Sequence, residues 1–112
     1  MSLNSLEIQT RQEDDTLVLS LKGNLLYETT GALRGALTRF LLSESPSVMI
    51  DLKDTEWVDS SGVNVLLHYY MKAKAMRRLL TVRVSPQYPR RNPSMRLISS
   101  CLPVTEDRPY EN

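Results

Sequence analysis

Ser47 to Val84 carry a short apolar run, an amphipathic stretch and a second apolar run, an order that constrains the fold more than any other feature. SVMIDL (Ser47–Leu52) is nearly continuously apolar, as suits a strand buried on both faces of a parallel sheet. LLTVRV (Leu79–Val84) reads as a further strand. Between them the periodicity predicts a helix from Ser60 or Ser61 to about Arg77, with Val63, Leu66, Leu67, Tyr70 and Ala73 facing inward. The unit has the length of a parallel strand–helix–strand crossover, with residues 53–58 expected to be loop.

Upstream, LEIQTRQ (Leu6–Gln12) and TLVLSLK (Thr16–Lys22) alternate apolar and polar residues around Glu13-Asp14-Asp15, which predicts a hairpin. Gly23-Asn24 is expected to end the second strand. A helix follows from Thr29 or Thr30 to about Leu42, with Leu33, Ala36, Leu37, Phe40 and Leu41 on one face, and Ser45-Pro46 breaks it. Downstream, Pro86, Pro89 and Pro93 mark a loop, then a short helix with Met95, Leu97, Ile98 and Leu102 inward. Residues 103–112 are expected to be a flexible tail. The expected fold is one α/β domain with a core over residues 6–102, a small mixed β-sheet with helices packed on it.

The single Cys101 rules out an internal disulfide framework and a cysteine-rich zinc site, and fits a cytoplasmic setting. The first residues do not show the basic-then-apolar pattern of a signal peptide, and no apolar run reaches the roughly 20 residues needed to cross a bilayer, so no membrane insertion is expected. Charge is divided unevenly: residues 1–59 hold five Lys/Arg against ten Asp/Glu, and residues 60–112 hold nine against three. Arg77, Arg78, Arg83, Arg90, Arg91 and Arg96 are nevertheless scattered over several elements, with Tyr88 the one aromatic among them. That dispersion argues for two oppositely charged surfaces and against nucleic acid as a partner.

VDSSG (Val58–Gly62), at the mouth of the long helix, allows three readings. A serine nucleophile needs a base at hydrogen-bond range, and the only histidine, His68, stands eight residues along the same helix. At ~1.5 Å per residue that is about 12 Å, too far for proton transfer. A serine-dependent hydrolase is therefore disfavoured, as is a small-molecule binder at the same place, and no enzymatic activity is expected. A helix cap is the structural reading, since Asp and Ser both favour that position and Gly62 suits close packing. One cap needs one side chain, however, and this site offers three. A phosphoacceptor is the third reading: a phosphate there would add about −1.5 to −2 charge at a helix end that tolerates it.

Ile50–Leu67, with its buried strand ending in Asp51-Leu52, its Asp-Ser-Ser-Gly stretch and the apolar helix after it, resembles the signature segment of the STAS domain family. The order of elements is similar too, over about residues 6–102. The resemblance implies an anti-sigma-factor antagonist, a bacterial regulator of transcription with no cofactor and no metal of its own. In such proteins the serine after the aspartate, here Ser60 with Ser61 as second choice, is phosphorylated by an anti-sigma factor that is also a serine kinase. Asp59 and Gly62 support that switch. The unphosphorylated form binds the kinase, the phosphorylated form does not, and a serine phosphatase resets it. One departure stands out: where the family often places an aspartate near the phosphoacceptor, this chain has Leu26. The alternative within the family is an accessory subunit of a lipid or anion transporter that docks without phosphorylation.

Around the site, Trp57 is read as a core plug or as a flank of the docking surface. Tyr69 and Met76 carry a similar pair of readings, an adaptable partner surface or the edge of the core against the first helix. Asn64, His68 and Lys72 share one helix face and are expected to be exposed, Asn64 within reach of a partner. Cys101 is expected to be a buried small apolar residue.

Overall fold

A two-residue turn at Asp14-Asp15 folds β1 (Leu6–Glu13) back on β2 (Thr16–Leu25), pairing Glu13 with Thr16 and Leu6 with Gly23. Asp14 takes the turn's left-handed position at φ 54°. The computed structural model describes residues 5–85 and 93–106. After β2 come a single 3-10 turn (Tyr27–Thr29), α1 (Thr30–Leu42) and β3 (Ser47–Asp51). Then β4 (Thr55–Val58), α2 (Ser60–Ala75), β5 (Leu79–Val84), α3 (Pro93–Cys101) and β6 (Val104–Glu106) complete the described chain.

The six strands form one mixed sheet in the order β1-β2-β3-β5-β6, antiparallel at β1–β2 and parallel beyond it, with β4 added alongside β2. The α/β class and the crossover from β3 through α2 to β5 are as the sequence predicted. Four features differ. Gly23 does not end its strand: it sits at φ 118° in a register shift, and β2 runs on to Leu25. A Cβ there would stand 2.4 Å from the Ser5 carbonyl oxygen, so only glycine fits this bulge. Beyond it β2 leaves β3 and pairs with β4, so part of the expected 53–58 loop is a strand. Asp51 prepares that handover. It is buried, and its Oδ1 accepts the Lys53 N–H at 3.1 Å, bending the chain between β3 and β4.

The third difference lies at the carboxy-terminal end. Val104–Glu106 pair in parallel with Val82–Val84, so the expected tail begins with an ordered strand. The fourth is α3: Ile98 and Leu102, one turn apart, are buried, while Leu97 and Cys101 form the parallel outward row and are exposed. Cys101 is therefore not the buried residue expected. The proline-marked stretch 86–92, residues 107–112 and the Met95 side chain lie outside the described residues.

One core joins the helices to one face of the sheet: Leu33, Leu37 and Phe40 of α1, Val63, Leu66 and Ala73 of α2, and Ile98 of α3 meet Leu19, Leu21, Ile50 and Val82. α2 ends in a Schellman motif, with Arg78 N–H bonded to Ala73 O at 2.8 Å and Arg77 N–H to Lys74 O at 3.0 Å. Arg77 supplies the left-handed residue at φ 61°, a place usually given to glycine. The Arg78 side chain then reaches α1, where its guanidinium donates to the carbonyls of Phe40 (2.9 Å), Leu41 (3.2 Å) and Ser43 (2.6 Å). A cation at a helix carboxy terminus also meets the negative end of the macrodipole. This arginine is thus part of the fold and not of a basic surface.

Two glycines of α1 have no such structural reason. A Cβ on Gly31 would meet nothing within 4 Å, and one on Gly35 only an Arg39 nitrogen at 3.6 Å. Gly35→Ala is therefore expected to stabilise the single chain by about 0.5–1 kcal/mol, read as a higher urea midpoint at unchanged slope in dilute solution. A lower midpoint would mean that the site is tighter than its neighbours indicate.

Candidate functional site

β2 and β4 end side by side, Leu25 opposite Val58, and the chain turns directly from Val58 into α2. Asp59 makes that turn. Its N–H donates to Leu25 O at 3.1 Å, and its backbone oxygen accepts Val63 N–H at 3.1 Å as the first bond of the helix. Its carboxylate works on both sides: Oδ1 accepts Gly62 N–H at 3.0 Å, and Oδ2 accepts Tyr27 N–H at 3.0 Å. Asp59 is thus the N-cap of α2 and ties the helix mouth to the 3-10 turn. A cap of this kind contributes about 0.5–2 kcal/mol. Val58 and Val63, both buried, bracket it as a hydrophobic staple.

The cap role is filled by the carboxylate, so it does not occupy the serines. Ser60, the first residue of α2, is exposed, and Ser61 is half-buried. Among the described residues no hydrogen bond engages the hydroxyl of either. Ser60 therefore presents its hydroxyl, unbonded among the described residues, at the positive end of a 16-residue helix.

Gly62 allows the helix to sit this close. A Cβ there would lie 2.7 Å from Leu25 Cγ and 3.0 Å from Leu25 O. Leu26 and Tyr27 follow immediately: Leu26 is half-buried, with its N–H on Thr29 Oγ1 at 2.9 Å. Thr29 Oγ1 in turn lies 2.8 Å from Asn24 O, so Thr29 organises the 3-10 turn and leaves the start of α1 without a side-chain cap.

Two large aromatic side chains stand open at this end of the sheet. Tyr27 is 74% exposed and Trp57 47% exposed, so Trp57 is not a core plug. Asn64, one turn after Ser60, is exposed as expected, and so is His68. Of the two readings of Tyr69, the partner surface is overturned and the edge of the core against the first helix holds: it is buried, and its hydroxyl is 2.9 Å from Thr38 Oγ1 of α1. Its neighbour Tyr70, placed inward by the sequence, is only half-buried. Met76 is half exposed but caps the far end of α2, roughly 24 Å from Ser60 at ~1.5 Å per residue. It does not belong to the same patch. Tyr27 was missed because nothing in the sequence places the residue after Leu26 against a helix 32 positions later.

A family model described as "Mlab, STAS domain" matches residues 8–95. Solved structures share the fold. An anti-sigma factor antagonist from Mycobacterium paratuberculosis superposes with a TM-score of 0.78 at 23% identity, over 92% of this chain and 87% of that one. The anti-sigma factor antagonist SpoIIAA in its unphosphorylated form gives 0.68 at 17% identity, over 93% and 90% of the two chains. The Bacillus cell fate determinant SpoIIAA in its phosphorylated form gives 0.67 at 15% identity over 92% and 93%. No curated protein sequence matches this chain.

Proposed function

The chain belongs to the STAS domain family, and we propose that it acts as an anti-sigma-factor antagonist whose binding is controlled by phosphorylation of Ser60. The observation that carries this reading is the division of labour at the mouth of α2. Asp59 caps α2 with one carboxylate oxygen and holds the 3-10 turn with the other, so the adjacent hydroxyl is left for chemistry done by a partner. A phosphate on Ser60 would meet the open N–H groups of the first turn, a favourable place for an anion. The fold would tolerate it, and a partner laid over Tyr27, Trp57 and Asn64 would meet a dianion. That the SpoIIAA fold is known in both unphosphorylated and phosphorylated forms supports the reading. The partner would be an anti-sigma factor that is also a serine kinase, supplying its own magnesium and ATP, with a separate serine phosphatase as the reset.

The geometry gives no support to catalysis by the chain itself. His68 sits on the exposed face of α2, two turns beyond Ser60, with its ring edge-on to Tyr69 at 5.3 Å. No helix among the described residues is long and apolar enough to cross a membrane.

Leu26 favours a second reading, an accessory subunit of a lipid or anion transporter that docks through the same surface without phosphorylation. It lies between Leu25 and Tyr27, the two residues that bond Asp59, so the junction lacks the acidic group many relatives would place there. Mass spectrometry of the protein from its own cells separates the two. Phosphate on the peptide containing Ser60 is the expected result. Its absence under all growth conditions tested would remove the switch and leave constitutive docking.

A further inference from the structure

β1 is the outermost strand on its side of the sheet, and its eight residues have no strand against their outer edge among the described residues. The two-residue turn closes on Glu13 and Thr16, so Glu13, Arg11, Gln9 and Glu7 direct their backbone groups at β2. Leu6, Ile8, Thr10 and Gln12 direct theirs outward. Long unpaired edges are normally blunted by proline, bulges, short length or charge, and of these β1 has only charge, in Glu7, Arg11 and Glu13. It holds no proline and pairs with β2 over all eight residues without a break in register, and its charges are of both signs, so they can pair across a twofold axis.

We propose that this edge is an interface for a second copy of the chain, β1 pairing antiparallel with β1 about a twofold axis at Gln9. The charge pattern selects that register. On the face away from the helices, Glu7 then stands opposite the second copy's Arg11, and Arg11 opposite its Glu7. Centring on Thr10 would set Glu7 against Glu13, and centring on Arg11 would oppose two arginines. The Gln9 register also matches the outward groups Ile8 with Thr10 and Leu6 with Gln12, so the two ladders are complete. Arg11 lies over this face with its Nε 2.6 Å from its own Glu13 Oε2 and its Nη1 3.1 Å from Ser20 Oγ, so in the dimer it would stand between its own Glu13 and the second copy's Glu7.

A second, independent observation lies on the helix side. A groove of about 380 Å3 runs between β1 and α1, lined by Ile8, Gly31, Ala32, Gly35 and Arg39. Neither glycine is required by packing within the chain, and glycine is the weakest helix former after proline. Small residues here admit close approach of a second α1 when two sheets join edge to edge. The serine site stays clear, since β4 lies on the opposite side of β2 from β1.

Sedimentation velocity of the purified chain tests this, with circular dichroism as the check on folding. The wild type is expected at twice 12.8 kDa. Thr10→Pro removes only an outward N–H, a substitution an edge strand tolerates, and is expected to be a folded monomer. Glu7→Arg is expected to weaken the dimer at least tenfold, and adding Arg11→Glu to restore it. A wild type that stays at 12.8 kDa up to about 1 mM overturns the proposal and leaves the edge to a foreign strand. A dimer indifferent to the Glu7→Arg substitution overturns it equally.

Discussion

Under the proposed switch, Ser60→Asp is expected to bind the anti-sigma kinase about a hundredfold more weakly than the wild type, equivalent to ~2.7 kcal/mol, while folding as well as the wild type. The two halves of that result have separate causes. In the free protein a carboxylate at the first position of α2 faces the positive end of the helix, a favourable interaction of about 0.3–1 kcal/mol. The side chain is exposed and no hydrogen bond of the original hydroxyl is lost, so no packing penalty offsets the gain. In the proposed complex the same carboxylate would be covered by the partner and would lose its water. An uncompensated charge at a closed interface costs several kcal/mol, well above the helix-end gain. Isothermal titration with the kinase reads the first half, and thermal melting the second. Ser60→Ala is expected to bind as the wild type does and to accept no phosphate. Equal affinity of Ser60→Asp and wild type would sink the switch. Lost binding together with a lowered melting temperature would instead mark Ser60 as a structural residue.

What the sequence could disclose follows from the range of the interactions involved. The β1–β2 hairpin, α1 and the β3–α2–β5 crossover are written in local periodicity, and they were legible. β4 was not, because TEWV buries its two ends and exposes Glu56 and Trp57 between them, with no alternation to detect. It is a strand only because the bulge at Gly23 redirects β2 towards it, a fact fixed by the Ser5 carbonyl. β6 likewise depends on β5 lying beside it. In α2 the sequence offered two adjacent tyrosines for one inward place. The choice fell on Tyr69 through a hydroxyl of α1, 31 residues away. Arg78 looked like one of several dispersed cations, and its three carbonyl partners lie 35 to 38 residues upstream. At the site, the Asp-Ser-Ser-Gly stretch announced a helix mouth with surplus polar groups. Which of them is the cap could be read only with Tyr27 and Leu25 in place.

Gly62→Ala is expected to lower stability by about 1–3 kcal/mol, where Gly35→Ala raises it, although both replace a glycine of a helix by the best helix former. Each substitution gains at most ~1 kcal/mol of helix propensity. The sign is then decided by space. At Gly35 the new methyl makes an ordinary contact with an arginine tip that can move. At Gly62 it would lie 2.7 Å from Cγ of Leu25, which is fully buried, and 3.0 Å from that residue's backbone oxygen. Leu25 cannot retreat freely, because its carbonyl accepts the Asp59 N–H at 3.1 Å and its strand is paired with β4. Relief must come from α2 moving outward, which stretches the bonds from Asp59 to Gly62 and Tyr27 that place Ser60. The substitution should therefore reduce kinase binding as well as the urea midpoint. Ser61→Ala, alongside it on the helix, should change neither by a comparable amount. Equal midpoints for Gly62→Ala and wild type would mean that the β2–α2 approach relaxes without strain, and that Gly62 does not hold Ser60 in place.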